Sequence, residues 1–237
     1  MKLRKLLIIA GVLIFISGCS DFMMICSLNP FYVEKNITLV PEIEGDWLVQ
    51  PIQSKKDSTE KNSVLWELAD TISTWQIHRY ISEEKIKTSK GKDSTVYKPE
   101  NYYEVKLTNA QDSDQYQFGM VLFKVSNDLY ADFCPGDIPS LQKSRMAKEN
   151  FFPVHTLAKI TFLNKQLKVS WLGADYMKSM IEDKRVRIKY RYVPDAKRLM
   201  LTASSNDLTE MIERYAHQKR FIDWDDQPAM LRLIPIK

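Results

Sequence analysis

The chain has 237 residues, of which 44% are hydrophobic and 27% charged, so collagen-like, disordered and multi-span membrane proteins are excluded. This length allows one large domain or two small ones. The net charge is +4, from 34 Lys and Arg against 30 Asp and Glu. Three basic residues, Lys2, Arg4 and Lys5, lie at the extreme N-terminus, so the remainder of the chain is nearly neutral. Overall charge therefore gives no reason to expect nucleic-acid binding.

The N-terminus has the three parts of a secretory signal. The basic start is followed by an apolar run from Leu6 to Ile16, which is too short for a transmembrane helix of about 20 residues. Ser17 and Gly18 then supply the small side chains that a signal peptidase requires, and Cys19 follows them. The pattern predicts a signal peptide over residues 1–18.

The tetrapeptide Ile16-Ser17-Gly18-Cys19 resembles the lipobox of bacterial lipoproteins. The resemblance implies that the Cys19 thiol carries diacylglycerol and that cleavage occurs just before it. The acyl chains would anchor the protein to the inner or outer membrane, with the domain in the periplasm or at the cell surface. The alternatives are an ordinary cleaved signal with an incidental cysteine, or an uncleaved anchor.

After the signal, the sequence divides into a short tether over 19–30 and a single β-rich domain over 31–237. Two further cysteines, Cys26 and Cys134, form one disulfide or remain two unbridged thiols, since the expected compartment is oxidising. No CxxC pair and no Cys/His spacing suggests a metal site.

Most of the domain shows the alternation of apolar and polar residues that is typical of β-strands. Asn127-Asp128 and Asn164-Lys165 each separate two such runs and predict hairpins. The short segment 64–68 and the longer segments 74–82 and 102–108 also predict strands. We expect a loop or a long hairpin end over 83–99. The remaining strands are predicted within 37–52 and over 116–125, 129–134, 154–163, 166–172, 185–193, 197–202 and 230–236.

Two helices are predicted from apolar residues three or four positions apart. One covers 174–182, and the other begins near Asn206 behind Ser204 or Ser205 as a capping residue. A third, short surface helix is expected within 138–150. The chain has no βαβ alternation, which makes a parallel doubly wound fold a poor match. We therefore expect an antiparallel lipocalin-like barrel or closed sandwich of about ten strands with two or three short helices.

Gly45-Asp46-Trp47, at the start of the first long strand, looks like the Gly-x-Trp signature of lipocalins and related calycin barrels. The resemblance implies that Trp47 packs under the closed end of an antiparallel barrel and that Gly45 lets the chain pass close beneath it. The wider layout resembles a group of bacterial envelope lipoproteins with lipocalin-like β domains, which implies no established activity. The stretches that match this group are Asn29-Pro30-Phe31-Tyr32, Leu129-Tyr130-Ala131-Asp132, Pro153-Val154-His155 and Leu201-Thr202-Ala203-Ser204.

The sequence carries no recognisable catalytic or cofactor-binding pattern. His78, His155 and His217 are far apart, and none has an acid or a second histidine at ligand spacing. The Gly-x-Ser-x-Gly, Ser-x-x-Lys and His-Glu-x-x-His signatures are absent. We therefore expect no enzyme, no catalytic residue and no cofactor, and we expect a structural role for His155.

One local feature stands out from the near-neutral background. Arg185, Arg187, Lys189 and Arg191 alternate with Val186, Ile188, Tyr190 and Tyr192, so a strand would place all four cations on one face. That face is either an ordinary solvated surface or a stripe for anionic headgroups, a polysaccharide or an acidic partner.

Two functions are consistent with these observations. The first is a lipid-anchored barrel that binds a small apolar or amphiphilic ligand. The second is a structural or interaction lipoprotein whose barrel is filled by its own side chains and which contacts another envelope component. An apolar cavity of about 300 Å³ or more, open at one end, distinguishes the first from the second.

Overall fold

The computed structural model describes residues 24–51, 73–87, 93–109, 115–136, 153–193, 198–219, 222–225, 227 and 229–236. The signal peptide and Cys19, the strand predicted over 64–68 and the helix predicted within 138–150 lie outside the described residues.

Strands make up most of the described chain, which confirms the mainly β, antiparallel class predicted from the sequence. Two short helices, α1 (Ala174–Glu182) and α2 (Ser205–Met211), accompany them, and a π-helical turn, Ile212–Ala216, follows α2 directly. Two single 3₁₀ turns, Glu34–Asn36 and Pro41–Ile43, precede the long strands. The strands are β1 (Cys26–Ser27), β2 (Gly45–Pro51), β3 (Ser73–Lys87), β4 (Asp93–Asn109), β5 (Gln115–Val125), β6 (Asp128–Pro135), β7 (His155–Leu163), β8 (Gln166–Trp171), β9 (Tyr190–Val193), β10 (Arg198–Leu201) and β11 (Ala229–Pro235).

Eight of the eleven strands form a closed ring. Their order is β6–β5–β4–β3–β2–β11–β8–β7, and β7 pairs with β6 to complete the circle. All eight pairings in the ring are antiparallel. The other three strands extend the sheet from β7 in the order β1, β10, β9, where β1 and β10 run parallel. Closure leaves no free edge in the ring itself.

The two ends of the ring differ. At the end that we call the closed end, β5 joins β6 through Ser126-Asn127 and β7 joins β8 through Asn164-Lys165. Both turns contain residues with positive φ, 56° at Ser126 and 48° at Asn164, so the first turn lies one residue earlier than the Asn127-Asp128 pair suggests. Residues 37–43 pack against the ring core at this end, since Thr38 N–H bonds Leu122 O at 2.9 Å.

At the opposite end, which we call the open end, β2, β4 and β6 finish and β3, β5 and β7 begin. The segments that join these strands to one another, 52–72, 110–114 and 137–152, lie outside the described residues.

A second core lies outside the ring, between one side of it and the two helices. Phe123, Tyr130 and Leu157 project outward from β5, β6 and β7 and are fully buried beneath helical side chains such as Met177 and Leu208. Because these strands are covered on both faces here, β5 carries a continuous apolar run over residues 120–123. The helices thus cover the ring and do not enter it.

The β3–β4 hairpin extends well beyond the strands predicted over 74–82 and 102–108. Of the two alternatives for 83–99, a loop or a long hairpin end, the structure shows the hairpin end, since pairing continues as far as Lys87 opposite Asp93, with a bulge between Arg79 and Ile81. Backbone pairing and contacts between side chains on opposite strands can stabilise such a two-stranded ribbon even when neither of its faces is buried. Tyr97, for example, lies in this ribbon and is exposed. The alternation of apolar and polar residues therefore stops where the two strands leave the core, although the strands themselves continue.

Residues 185–193 form less strand than their alternation predicts. Only Tyr190–Val193 pairs as a strand. The preceding residues are attached to the end of α1, where the N–H groups of Arg185 and Val186 both bond Met180 O, at 2.9 and 3.1 Å. A sequence in which apolar and charged residues alternate can thus also belong to the segment that follows a helix, if successive side chains there are in turn buried and exposed.

Candidate functional site

The open end of the ring holds an apolar cavity of about 340 Å³. Inward side chains from all eight ring strands line it, and Met24 adds a side chain from the segment just before β1. No charged residue lies among those that line the cavity within the described chain. The principal side chains of the wall are Val49, Trp75, Leu107, Phe118, Phe133 and Trp171.

Strand register explains why these side chains converge. Trp75 lies directly opposite Trp47 on β2 and Leu107 on β4, and Leu107 lies opposite Tyr116 on β5. Directly opposed residues project from the same face of a sheet, so the four form one row across four strands. The row runs from Trp47, which bonds the closed-end segment, to Tyr116, which is half exposed at the open end.

Three aromatic side chains stabilise the cavity wall. Trp75 meets Phe133 and Trp171 edge to face, with ring centroids 6.0 Å apart in both pairs, and Phe133 lies 5.5 Å from Trp171. Such pairs contribute about 0.5–1.5 kcal/mol each beyond their buried area. The three rings therefore form a preorganised apolar surface.

Towards the closed end the ring is filled by its own side chains. Trp47 is 5% exposed, and its Nε1–H donates a hydrogen bond to Ile43 O at 2.9 Å. Tyr103 is fully buried, and its hydroxyl accepts a hydrogen bond from Val40 N–H at 2.8 Å. These two bonds tie the 37–43 segment across the closed end, so the cavity is closed in that direction.

Gly45 has a conformational role at the start of β2. Its φ is 136°, a value that is strained for residues with a Cβ. A Cβ added there would meet no other atom within 4 Å. Glycine is thus required by the backbone angle that starts β2 and not by a close approach of the chain.

No disulfide joins Cys26 and Cys134, which are both half-buried thiols. Cys26 lies opposite Thr156, and Thr156 lies opposite Phe133, so the Cys26 side chain is on the same face as Phe133. Cys134 is the next residue along β6 and faces the other way. Burial raises the pKa of the Cys134 thiol, which disfavours the reactive thiolate.

A buried polar pair that the sequence patterns did not bring together lies on the outer face of the ring. His155 Nδ1 lies 2.6 Å from Asp132 Oδ1, and Asp132 Oδ2 accepts a hydrogen bond from Phe31 N–H at 2.7 Å. Asp132 is only 2% exposed. Burial raises its pKa, and the contacts with His155 and Phe31 N–H oppose that rise. The pair joins the N-terminal segment to β6 and β7.

The direction of this pKa shift predicts how stability depends on pH. A carboxyl group with a raised pKa in the folded state stabilises the fold below its ordinary pKa of 3.8, and this contribution is lost as pH rises through the raised value. We expect the wild type to lose stability relative to Asp132→Asn over the pH range that begins at about 4 and runs upward.

Urea unfolding across that range measures the effect. Asp225→Asn is the matched control, because the hydrogen bond from Lys168 lowers the pKa of the exposed Asp225 and places its titration below the range. A wild type that gains stability relative to Asp132→Asn as pH rises would contradict the prediction.

The four cations of the stripe, Arg185, Arg187, Lys189 and Arg191, are all exposed. The side chains that alternate with these cations differ in exposure. Val186 is buried and Ile188 is half-buried, whereas Tyr190 and Tyr192 are 45% and 48% exposed. Among the described strands β9 is the last of the sheet and pairs only with β10, so its tyrosines are exposed. Arg187 and Lys189 share a groove with Asp207, Glu210 and Arg214, so acids lie close to the stripe. Its role in binding stays a prediction.

The remaining histidines are separate from the cavity and from each other. His78 is exposed on β3, opposite Glu104, and His217 is exposed just after the π-helical turn. In the described part of the chain, no three His, Cys, Asp or Glu side chains are grouped to hold a metal ion. None of the helices described is long and apolar enough to span a membrane. Comparison with known proteins finds no family model, no curated protein and no solved structure that matches this chain.

Proposed function

We propose that the protein is a lipid-anchored component of a bacterial envelope whose ring is a lipocalin-like barrel and binds a small apolar or amphiphilic ligand. The observation that carries this proposal is the apolar cavity at the open end. Its volume of about 340 Å³ falls within the range of about 300–1,000 Å³ that ligand pockets occupy.

The chemistry of the wall supports an apolar occupant. Thr156 and the half-exposed Tyr116 supply the only hydroxyl groups among the described residues that line the cavity, so water finds few partners there. An apolar chain gains about 0.8 kcal/mol for each CH₂ that it buries. Binding therefore favours a ligand with an extended apolar part.

The closed end supports the comparison with lipocalins. Trp47 packs at the base of the ring, and the segment before it crosses that base through the bonds of Ile43 and Val40. This is the arrangement that the Gly-x-Trp resemblance implies. The alternative function, a structural lipoprotein that contacts another envelope component, requires a ring filled along its whole length.

Ligand binding can be tested with the unlipidated domain, residues 20–237, titrated with the fluorescent apolar probe N-phenyl-1-naphthylamine. Leu107→Trp extends a larger side chain into the cavity, and we expect it to weaken probe binding at least tenfold. Leu163→Trp is the matched control, because Leu163 is exposed at the closed end of the ring. It should leave probe affinity unchanged.

The alternative function predicts a different outcome. If the wild type binds no probe, or if both variants weaken binding equally, the ring is not a ligand site and the structural role is favoured. Native mass spectrometry of the purified protein supplies an independent measurement, since a bound ligand adds a discrete mass that Leu107→Trp should reduce.

A further inference from the structure

We propose that the cavity exchanges its ligand directly with the membrane that carries the anchor, and that this ligand is an amphiphile with a single apolar chain. This inference rests on the proposed function and extends it to the source of the ligand. It follows from where the N-terminal segment meets the ring.

The N-terminal segment is held at the cavity. Met24 lines the cavity and packs against the ring core, and it bridges to Gly173 just beyond the end of β8. The next residue, Ile25, is fully buried, and its N–H bonds Leu172 O at 2.9 Å. From Met24 onward the chain is part of the fold, so residues that the sequence assigned to the tether belong to the domain.

The length of chain before Met24 limits how far the cavity can lie from the anchor. Cys19 precedes Met24 by five residues, and five residues span at most about 17 Å even when fully extended. An acylated Cys19 lies at the membrane surface, where the headgroup layer is itself about 5–8 Å deep. The open end of the ring is therefore held close to the headgroups and cannot turn far away from them.

The open end has the surface chemistry that suits this position. Val154 and Pro135 line the cavity near its opening, and the half-exposed Tyr116 lies beside them. Tyrosine side chains are favoured at membrane–water interfaces because one end of the ring is apolar and the other polar. An amphiphile can thus place its chain in the cavity while its polar headgroup stays among the membrane headgroups.

The volume of the cavity limits the ligand to one chain. About 340 Å³ is near the lower end of the range for ligand pockets, and the side chains at the closed end, including Trp47 and Tyr103, fill the ring below it. A free amphiphile with one chain can enter, whereas a second chain would have to remain outside in contact with water or the bilayer.

The test compares transfer rates for two tether lengths. The lipidated protein is reconstituted in vesicles that contain 11-(dansylamino)undecanoic acid, and uptake is followed by energy transfer from tryptophan to the dansyl group. A variant carries a 15-residue proline-rich spacer between Asp21 and Phe22, which adds about 45 Å of semi-rigid chain. We expect the spacer to slow uptake from vesicles at least tenfold.

Two controls separate this inference from the proposed function. Unlipidated forms with and without the spacer should bind the same probe in solution with equal affinity, because the cavity is unchanged. If neither form binds the probe, the proposed function fails. If both bind it and the lipidated pair takes it up from vesicles at equal rates, the cavity loads through water and the membrane-exchange proposal is overturned.

Discussion

Replacing Trp47 by alanine should lower the free energy of unfolding by about 3–5 kcal/mol, the usual cost of truncating a buried aromatic side chain. Trp47 is among the buried residues of the ring core, and it bonds the 3₁₀ turn before β2 through Ile43 O. The substitution leaves a void at the closed end and removes a bond that ties the 37–43 segment across it. Urea or thermal unfolding of the unlipidated domain measures the change.

Phe162→Ala is the control for this loss of stability. Phe162 is also an aromatic residue on a ring strand, but it is exposed at the closed end, so its truncation should cost less than about 1 kcal/mol. If Trp47→Ala unfolds with the same midpoint as the wild type, Trp47 does not support the closed end, and the lipocalin-like interpretation loses its main structural support.

Replacing Cys19 by alanine should abolish labelling of the protein by a palmitate analogue in growing cells. The lipobox resemblance assigns the acylated thiol to Cys19 alone, and without acyl chains the protein should also leave the membrane fraction. In-gel fluorescence after labelling measures the first effect, and fractionation measures the second.

Cys26→Ala is the matched control, because Cys26 lies in β1 and its Sγ–H donates a hydrogen bond to Met24 O at 3.6 Å. This variant should be labelled as strongly as the wild type. Labelling that persists in Cys19→Ala would mean that another residue is acylated. The proposal of membrane exchange would then lose its basis, because it depends on the short distance along the chain from Cys19 to Met24.

Stability at the closed end and binding at the open end should be separable. Trp47→Ala changes the base of the ring, whereas Leu107→Trp changes the cavity wall, and the two residues are two strands apart in the same row. A protein that loses stability with the first and binding with the second has a ring that is structural at one end and functional at the other.

The sequence by itself determined the features that depend on neighbouring residues. Period-two alternation predicted most of the long strands, and Asn164-Lys165 predicted the turn that joins β7 to β8. Ser204, one of the two predicted capping residues, caps α2 in a reciprocal capping box with Asp207. These features were predictable because a turn, a cap or a strand face is decided within a few residues.

Only the tertiary structure decided the features that depend on distant parts of the chain. Pairing of β6 with β7 closes the ring across a gap of many residues, and the same pairing brings Asp132 to His155. The attachment of Arg185 and Val186 to the end of α1 shortened a strand that alternation alone had predicted. The alternation of apolar and polar residues along a strand is the same whether an inward apolar residue fills the core, as Trp47 does, or lines the cavity, as Trp75 does. Whether the ring is filled depends on the combined volume and packing of all its inward side chains, and this cannot be predicted from the pattern of residues along any one strand.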